Sequence, residues 1–424
     1  YVFTRIGAAW SQQAYVKAAN TTANVQFGYS VALSADGNTL AASAFDEAGS
    51  SRVINGPYDR GRNGSGAIYI FTRAGTTWTQ QAYLKAHNAE NGDSLGVIVS
   101  ISDDGNTVAG GILDEDCKAS GVNPAAACDN DVKDDTSIGA VDVFVRNGTT
   151  WTQQAFIKAS NPGVEDWFGS RLQISGDGNT LAVGAIGESS AARGINGTPA
   201  EQADNSADSA GAVYVFSRSG ATWIQQAYIK ASNTERLDRF GYSIALSEDG
   251  NTLVVGAIGE GSAAIGIAGD QTNNAADSAG VVYVFNRASA AWTQQAYIKA
   301  SNTDAQDFFG RSVALSADGN TLAEPNDHDT RGARPAGSLT HRNASTSEGS
   351  QQHRWARRLL HRGQRGRAAR LPARCAPAAR PHDHVGPRDG LAARTRGPAC
   401  GGAYARGRPG PLVPVVGRQP VPAP

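Results

Sequence analysis

The chain has 424 residues, of which 40% are hydrophobic, and this is enough apolar material for a sizeable core. No run approaches the roughly 20 consecutive apolar residues of a membrane-spanning helix, so we expect no transmembrane segment. The formal net charge of −1 conceals two opposite parts, because residues 1–323 carry a net charge of −13 and residues 324–424 one of +12. The acidic charge of the first part argues against nucleic acid as its partner.

Five copies of one repeat fill residues 1–323. Each copy contains a tryptophan, and the five tryptophans are spaced by 68, 73, 72 and 69 residues: Trp10, Trp78, Trp151, Trp223 and Trp292. A DGN tripeptide and a Phe-Gly or Leu-Gly pair recur with the same spacings, so the length varies in only one segment of the repeat. We therefore predict repeats at about 1–45, 66–113, 139–186, 211–258 and 280–323, with long inter-blade loops between them.

Each repeat predicts four short strands, as the fourth copy illustrates. The segments are GAVYVFSR from Gly211, then TWIQQAYIKAS, FGYSIALS from Phe240, and NTLVVGA from Asn251, with a DG hairpin signal before the last one. Such a unit has two apolar faces and must stack on its neighbours to bury both. We therefore predict an all-β fold, a β-propeller of four-stranded antiparallel blades, with about five blades in an array that need not be complete. A solenoid of parallel coils is the alternative.

The Phe-Gly pair, the DG turn and a following VGA recur as FGSRLQISGDGNTLAVGA from Phe168 and as FGYSIALSEDGNTLVVGA from Phe240. This pattern resembles the FG-GAP repeat of bacterial surface proteins, which is similar to the integrin α-subunit N-terminal propeller. The resemblance implies a propeller, typically of seven blades, in a secreted or bacterial cell-surface protein. Because the sequence opens inside a repeat, we expect any signal peptide upstream of Tyr1.

Calcium is the candidate cofactor that the resemblance raises. Calcium-binding members of the family have several closely spaced carboxylates in the turn between the FG and GAP strands, whereas this chain has only SADGNT, GDGNT or SEDGNT. We interpret a single aspartate there, such as Asp177, as a turn former. The long loops are better candidates for a metal site. Two residue sets carry this prediction, with solvated Asx turns as the alternative: Glu188, Asp204, Asn205 and Asp208, and Glu260, Asp270, Asn274 and Asp277.

A third long loop holds Cys117 and Cys128, with ten residues between them. In an exported protein such a pair favours a disulfide, which would stiffen this loop, and two free thiols are the alternative. A zinc site would need more ligands, and the only histidine of residues 1–323, His87, lies in another part of the repeat.

Residues 1–323 contain none of the usual metalloprotease, P-loop or dinucleotide-binding motifs. The GDSLG segment at 92–96 matches a nucleophile elbow, but Ser94 lies at the start of a predicted strand, so we interpret the match as an accident of the repeat. We interpret the recurrent tryptophans as packing between blades. A carbohydrate platform is the alternative, with Trp167, which is outside the recurrent set, as its candidate.

These observations predict a non-enzymatic, exported or cell-surface module for binding or adhesion, which presents a loop face to a protein or glycan ligand. The first alternative is a propeller-fold polysaccharide lyase or hydrolase, which would need one blade with an acid, histidine or tyrosine that its siblings lack. The second alternative is a purely structural repeat region of a larger surface protein.

The composition changes completely at Glu324. Residues 324–424 contain six of the seven histidines and 13 of the 17 prolines, and all of their basic residues are arginine. We predict that this low-complexity tail is disordered, or is an out-of-frame translation of a GC-rich sequence that continued the propeller. A genuine basic arm for an acidic partner is the alternative.

Overall fold

The computed structural model describes residues 1–20, 22–125, 128 and 136–325. Within this part the chain forms 20 β-strands and a single helix of four residues, which confirms the all-β prediction. None of the helical structure described is long and apolar enough to cross a membrane. The predicted tail from residue 326 onward lies outside the described residues.

Four antiparallel sheets of four strands each follow one plan, and a two-stranded sheet precedes and another follows them. The first small sheet has β1 (Val2–Ile6) and β2 (Ala9–Ala14). Blade A has β3 (Val31–Leu33), β4 (Thr39–Ala44), β5 (Ala67–Ala74) and β6 (Thr77–Leu84), and blade B has β7 (Leu95–Ile101), β8 (Thr107–Ile112), β9 (Ala140–Asn147) and β10 (Thr150–Ile157).

Blades C and D repeat this plan. Blade C has β11 (Phe168–Ile174), β12 (Thr180–Ala185), then the helix α1 (Pro199–Gln202), β13 (Ala212–Ser219) and β14 (Thr222–Ile229). Blade D has β15 (Phe240–Leu246), β16 (Thr252–Ala257), β17 (Val281–Ala288) and β18 (Ala291–Ile298), and the last small sheet has β19 (Ala314–Leu315) and β20 (Leu322–Ala323).

The blades are shifted by two strands from the predicted repeats. In blade C the second strand pairs with the third across the long loop, from Thr180↔Ser217 to Ala185↔Ala212. A blade therefore begins with a Phe-Gly strand and ends with a WTQQ strand, and the long loops lie inside blades instead of between them. The 20 strands equal five blades, of which four are complete and one is represented by a half at each end.

The hydrophobic core lies between successive blades. One cluster joins blade B to blade C, with Val141 of β9 and Leu172 of β11 among its members, and similar clusters join A to B and C to D. The second strand of blades A, B and C is buried at every position and is rich in glycine and alanine. A Cβ at Gly256 in β16 would overlap the carbonyl oxygen of Gly310 in the next repeat, so the small residues allow the close approach of neighbouring backbones.

The recurrent tryptophans fasten each blade to the preceding one. In blade C the Trp223 Nε1–H donates to Gln154 Oε1 of blade B at 2.9 Å, and the Arg218 guanidinium lies 5.3 Å from the centre of the tryptophan ring. The same tryptophan–glutamine bond recurs, at 2.9 Å each time, from Trp78 to Gln13, from Trp151 to Gln81 and from Trp292 to Gln226. The interpretation of these residues as inter-blade packing is confirmed.

The DGN aspartates are turn residues. Asp177 Oδ1 accepts hydrogen bonds from Ser175 Oγ at 2.5 Å and from the Asn179 amide at 2.8 Å, and its Oδ2 accepts from Asn179 Nδ2 at 2.9 Å. The same bonds recur at Asp36, Asp104, Asp249 and Asp318. These bonds outweigh partial burial and lower the pKa of Asp177, so its carboxylate serves the turn.

Candidate functional site

Each complete blade has a buried polar cluster at the end of the sheet that carries the long loop. In blade C the Lys230 ammonium lies 2.6 Å from Glu188 Oε2, and both side chains are almost completely buried. Glu188 Oε1 accepts from the Tyr228 hydroxyl at 2.8 Å and from Asn161 Nδ2 at 3.0 Å, and Asn161 Oδ1 accepts from the Tyr214 hydroxyl at 2.6 Å. We call this set of five residues the core network.

Blade D has the same core network. Lys299 lies 2.7 Å from Glu260, which accepts from Tyr297 at 2.8 Å and from Asn233 at 3.1 Å, and Asn233 accepts from Tyr283 at 2.5 Å. In blade A, Lys85 and Glu47 form the ion pair at 3.0 Å, and Asn20 and Tyr69 complete it. The asparagine comes from the preceding repeat each time, so the network also connects neighbouring blades.

The structure separates the two predicted metal-ligand sets. Glu188 and Glu260, instead of pointing into the loops, are each neutralised by a lysine of the core network. A buried carboxylate with a lysine partner is a structural element here, because removing it from water without that partner would be costly. These two carboxylates therefore already have a cationic partner, the lysine of their own core network.

The other predicted ligands lie near the surface of the loops. Asp204 and Asp270 are in Asx turns, where they accept hydrogen bonds from Ser206 and Thr272. Asp208 forms an ion pair with Arg236 at 3.0 Å, and Asn274 donates to Glu235. Asn205 is exposed, and Asp277 accepts from Ser278. The described part of the chain gathers neither set into a cluster of metal-ligand spacing. Calcium binding stays a prediction.

The predicted disulfide is present. Cys117 and Cys128 are joined by a disulfide with a Cα–Cα distance of 5.2 Å, and both residues are buried. Glu115 lies beside them, and the three form the one metal-like grouping found among the described residues. Because both sulfurs are used in the disulfide, this grouping is not a metal site in this state.

Blade B departs from its siblings at two positions of the core network. Asp142 stands on β9 where blades A, C and D have Tyr69, Tyr214 and Tyr283, and Phe156 stands on β10 where they have Tyr83, Tyr228 and Tyr297. Blade B therefore lacks both hydroxyl groups of the network.

This departure leaves three buried polar atoms of blade B without a hydrogen-bond partner among the described residues: Asn88 Oδ1, Asp142 Oδ2 and Lys158 Nζ. The expected partner of Lys158, Glu115, instead accepts from Asn88 Nδ2 at 2.7 Å and from the Cys117 amide at 2.9 Å. Unsatisfied polar atoms in a buried position destabilise a fold, so this cluster calls for an explanation.

Burial controls the charges of this cluster. It raises the pKa of Asp142 well above its usual range, with Glu115 and Asp93 as further causes. It lowers the pKa of Lys158 to about 8, although Glu115 opposes this shift. Burial therefore favours the protonated form of Asp142, and near neutral pH Lys158 is close to losing its proton.

One glutamine connects this cluster to the surface. Gln153 Nε2 donates to Asp142 Oδ1 at 2.6 Å and lies 2.9 Å from Nδ1 of the exposed His87, and Gln153 Oε1 accepts from the His87 amide at 3.2 Å. In this arrangement His87 Nδ1 accepts and its Nε2 carries the proton. A cleft of about 560 Å³ opens here, and we call it the blade B cleft; its lining residues are His87, Asn123, Pro124, Ala125, Cys128, Gln153, Gln154, Ala155 and Phe156.

The sequence contains the signal for this site. The third strands of blades A to D align as AIYIF, AVDVF, AVYVF and VVYVF. Only blade B has an acidic residue in this strand, and that residue is Asp142. Ser94 donates to the Gly92 carbonyl at 3.0 Å and belongs to the buried start of β7, in keeping with a coincidental motif. Trp167 packs against Phe45, Val97 and Leu113 and is half-buried.

The long loops form a second candidate surface. In blade C, Asn196 donates its amide to the Tyr228 carbonyl at 2.8 Å and accepts the Tyr228 amide on its Oδ1 at 2.9 Å, which ties the loop to β14. Asn55 and Asn123 make the same pair of bonds in blades A and B. These bonds tie described residues of the loops to the sheets. The loops of blades A and D expose apolar side chains, and we call these four residues the loop face: Val53 and Tyr58 in blade A, and Ile265 and Ile267 in blade D.

The FG-GAP repeat family matches residues 151–216, 223–285 and 292–338, and each match begins at one of the recurrent tryptophans. These three segments of the chain are FG-GAP repeats. The matched segments include three of the DGN turns and the core networks of blades C and D, so the recurrent features described above belong to the repeat itself.

Solved structures similar to this chain include the periplasmic gluconolactonase of Pseudomonas aeruginosa, with 13% sequence identity, a TM-score of 0.43 and coverage of 76% of this chain and 70% of that one. A candidate 6-phosphogluconolactonase of Bacteroides uniformis has 13% identity, a TM-score of 0.35 and coverage of 70% of this chain and 77% of that one. No curated protein matches the chain.

Proposed function

We propose that this chain is a non-enzymatic binding or adhesion module of a secreted or cell-surface protein, and that the loop face contacts a protein or glycan ligand. The observation that carries the proposal is the exposure of apolar side chains on ordered loops. Ile265 and Ile267 are 62% and 71% exposed, although the loop that holds them is hydrogen-bonded to β18 through Ala268 and Tyr297.

Two physical arguments support a binding role for this face. Ile265 and Ile267 lie two residues apart on one loop, and neighbouring exposed apolar side chains are typical of interaction sites. Loops that are already held by backbone hydrogen bonds lose little conformational freedom when a partner binds, and this increases affinity. The disulfide between Cys117 and Cys128 restrains the corresponding loop of blade B in the same way.

The test measures binding of the chain to a glycan microarray and to immobilised fibronectin and collagen. We expect the double variant Ile265→Ser, Ile267→Ser to lose at least tenfold in affinity for whichever probe binds. Ile224→Ser is the matched control, because Ile224 is 59% exposed but lies on strand β14 instead of a loop. Equal binding by both variants would exclude the loop face. Repeating the assay in EDTA tests whether calcium assists.

One observation favours the enzyme alternative. Asp142 is the unique acid of its blade that a polysaccharide lyase or hydrolase would need, but its side chain is fully buried behind Gln153. If the chain cleaves polysaccharides, reducing ends or unsaturated uronates will accumulate, and Asp142→Asn will abolish their release. The binding proposal expects no product from either protein.

A further inference from the structure

We propose that the blade B cleft binds one neutral sugar residue, with Gln153, His87 and Asn123 as its hydrogen-bonding contacts and Asp142 as the residue that positions Gln153. The inference rests on the proposed binding function and names a ligand class and a place for it. The site lies between two blades, since His87 follows β6 of blade A and Gln153 is on β10 of blade B.

The first argument is that, of the four complete blades, only blade B lacks both tyrosines of the core network. Blades A, C and D carry tyrosine where blade B has Asp142, and in blades C and D the tyrosine hydroxyl satisfies the asparagine oxygen that is left unpartnered at Asn88. Aspartate is shorter than tyrosine, so the substitution also vacates space next to Gln153. The other three complete blades of the chain have tyrosine at both positions. Stability of the blade alone therefore does not explain why blade B has Asp142 and Phe156.

The second argument is the orientation of Gln153. In blade C the equivalent Gln225 donates to Ser160 at 3.1 Å, and its Oε1 is buried without a partner among the described residues. Gln153 instead bridges Asp142 and His87, so both hydrogens of its amide are used and its plane is fixed. The His87 amide already uses one lone pair of Gln153 Oε1, so the group that Gln153 offers to a ligand hydroxyl is the second lone pair of this oxygen, held in a fixed direction.

The third argument is the chemistry of the cleft wall. His87 offers its Nε2–H, and Asn123, whose Oδ1 accepts from the Phe156 amide at 2.8 Å, offers its Nδ2 hydrogens. Pro124 and Ala125 add apolar surface. A sugar combines hydroxyl groups with apolar C–H faces, and a cleft of about 560 Å³ has the size typical of small-molecule sites.

The fourth argument concerns charge. Burial lowers the pKa of His87, which favours its neutral ring near pH 7, and burial raises the pKa of Asp142, which favours its protonated form. The charged groups that act on these residues include Glu115, Asp93 and Lys158, which are buried, and Arg52, which acts on His87. The described lining residues of the cleft carry no acidic side chain, lysine or arginine, and their donors and acceptors suit hydroxyl groups.

The experiment titrates the full chain with glucose, galactose, mannose and N-acetylglucosamine, with binding read from saturation-transfer difference NMR and from amide chemical shifts. We expect at least one sugar to bind, and we expect Gln153→Ala to weaken it at least tenfold. Gln225→Ala is the matched control at the equivalent position of blade C and is expected to bind as the parent does. Absence of binding by all four sugars, or equal binding by Gln153→Ala, would overturn the proposal.

The positioning role of Asp142 has its own readout. Asp142→Asn keeps an oxygen that can accept from Gln153 and is expected to bind within about twofold of the parent, whereas Asp142→Ala is expected to lose at least tenfold. The double variant Asp142→Tyr, Phe156→Tyr restores the network of the other blades, so it is expected to raise the melting temperature and abolish sugar binding. A merely structural role for Asp142 would move stability and binding in the same direction, and that result would overturn the assignment.

This result is separable from the test of the loop face. If the Ile265→Ser, Ile267→Ser variant still binds sugars while Gln153→Ala does not, the blade B cleft is confirmed independently of the loop face. If sugars bind and both variants lose them equally, the cleft is not the site.

Discussion

Replacing Glu188 by glutamine should show what the buried ion pair contributes to blade C. Glutamine keeps the shape and the acceptor for Tyr228, but it leaves Lys230 buried without its carboxylate. The lysine can then escape the burial of its charge by releasing its proton. At pH 7 this release costs up to about 5 kcal/mol, from an ordinary lysine pKa of about 10.4 and about 1.36 kcal/mol per unit. We therefore expect a loss of about 3–5 kcal/mol in the free energy of unfolding.

The same substitution in blade B is the matched control. Glu115 makes no ion pair with Lys158, whose pKa is already lowered to about 8 by burial. Proton release by Lys158 at pH 7 therefore costs only about 1.4 kcal/mol, at about 1.36 kcal/mol per pKa unit. Glu115→Gln should consequently destabilise the protein far less than Glu188→Gln.

The pH dependence separates this reasoning from a general packing effect. In Glu188→Gln the pKa of Lys230 is lower in the folded state than in the unfolded state, so the unfolded state binds more protons and stability rises with pH up to about 10. The deficit relative to the parent should shrink by up to about 1.4 kcal/mol for each pH unit above 7. Urea denaturation at pH 7, 8 and 9, followed by tryptophan fluorescence, measures it. Equal losses in the two variants, or a deficit independent of pH, would refute the argument.

Three further predictions use other contacts. Trp151→Phe removes the bond to Gln81 and should cost about 1 kcal/mol, whereas Trp10→Phe should cost nothing measurable, because Trp10 is 62% exposed; urea midpoints compare them. Cys117→Ser opens a disulfide with a sequence separation of 11 and should cost up to about 3 kcal/mol, a loss that reduction of the parent protein should reproduce. Burial raises the pKa of Asp238 to about 7, so Asp238→Asn should stabilise the protein at pH 8 but not at pH 4, as melting temperatures at the two pH values will show.

The periodic features of the fold were predictable from the sequence. The spacing of the tryptophans and of the DGN turns predicted a repeated four-stranded unit, and both residue types have the roles inferred for them, as at Trp223 and Asp177. The blade limits were not predictable from the period. A four-strand pattern that repeats along the chain does not say which of the four strands begins a blade. The pairing of β12 with β13 across the long loop shows that the Phe-Gly strand begins it.

Most features of the candidate site, in contrast, were not predictable from the sequence. Glu188 and Glu260 were expected to face a cation because each begins an acidic loop, but each lies three residues after a mostly buried strand and is itself buried. Their lysine partners are some 40 residues away, at separations that loop composition does not reveal. Asp142 was detectable as the only aspartate at its position in the repeat, although its unpartnered oxygen needed the structure.

The position of the blade B cleft follows from how neighbouring blades are coupled. In a repeat protein, stability is the sum of terms within blades and terms between neighbours. Between blades B and C the interface includes both the Trp223–Gln154 bond and the Asn161 bridge from Tyr214 to Glu188. Between blades A and B the Trp151–Gln81 bond remains. The Oδ1 of Asn88 has no hydrogen-bond partner among the described residues, because Asp142 stands in place of the tyrosine whose hydroxyl would donate to it.

The junction of blades A and B therefore lacks the asparagine–tyrosine bond of its neighbours, and it has the bonds between His87 and Gln153 in addition to the tryptophan bond. The cleft lies at this same junction, because His87 of one blade and Gln153 of the other form its wall. A ligand that bonds to both residues would add a further link between the blades, and its binding free energy would add to the stability of the junction. Sugar binding should consequently slow hydrogen exchange in β6 and β10 and leave β14 and β18 unchanged, whereas uniform protection of all four strands would contradict a site at this junction.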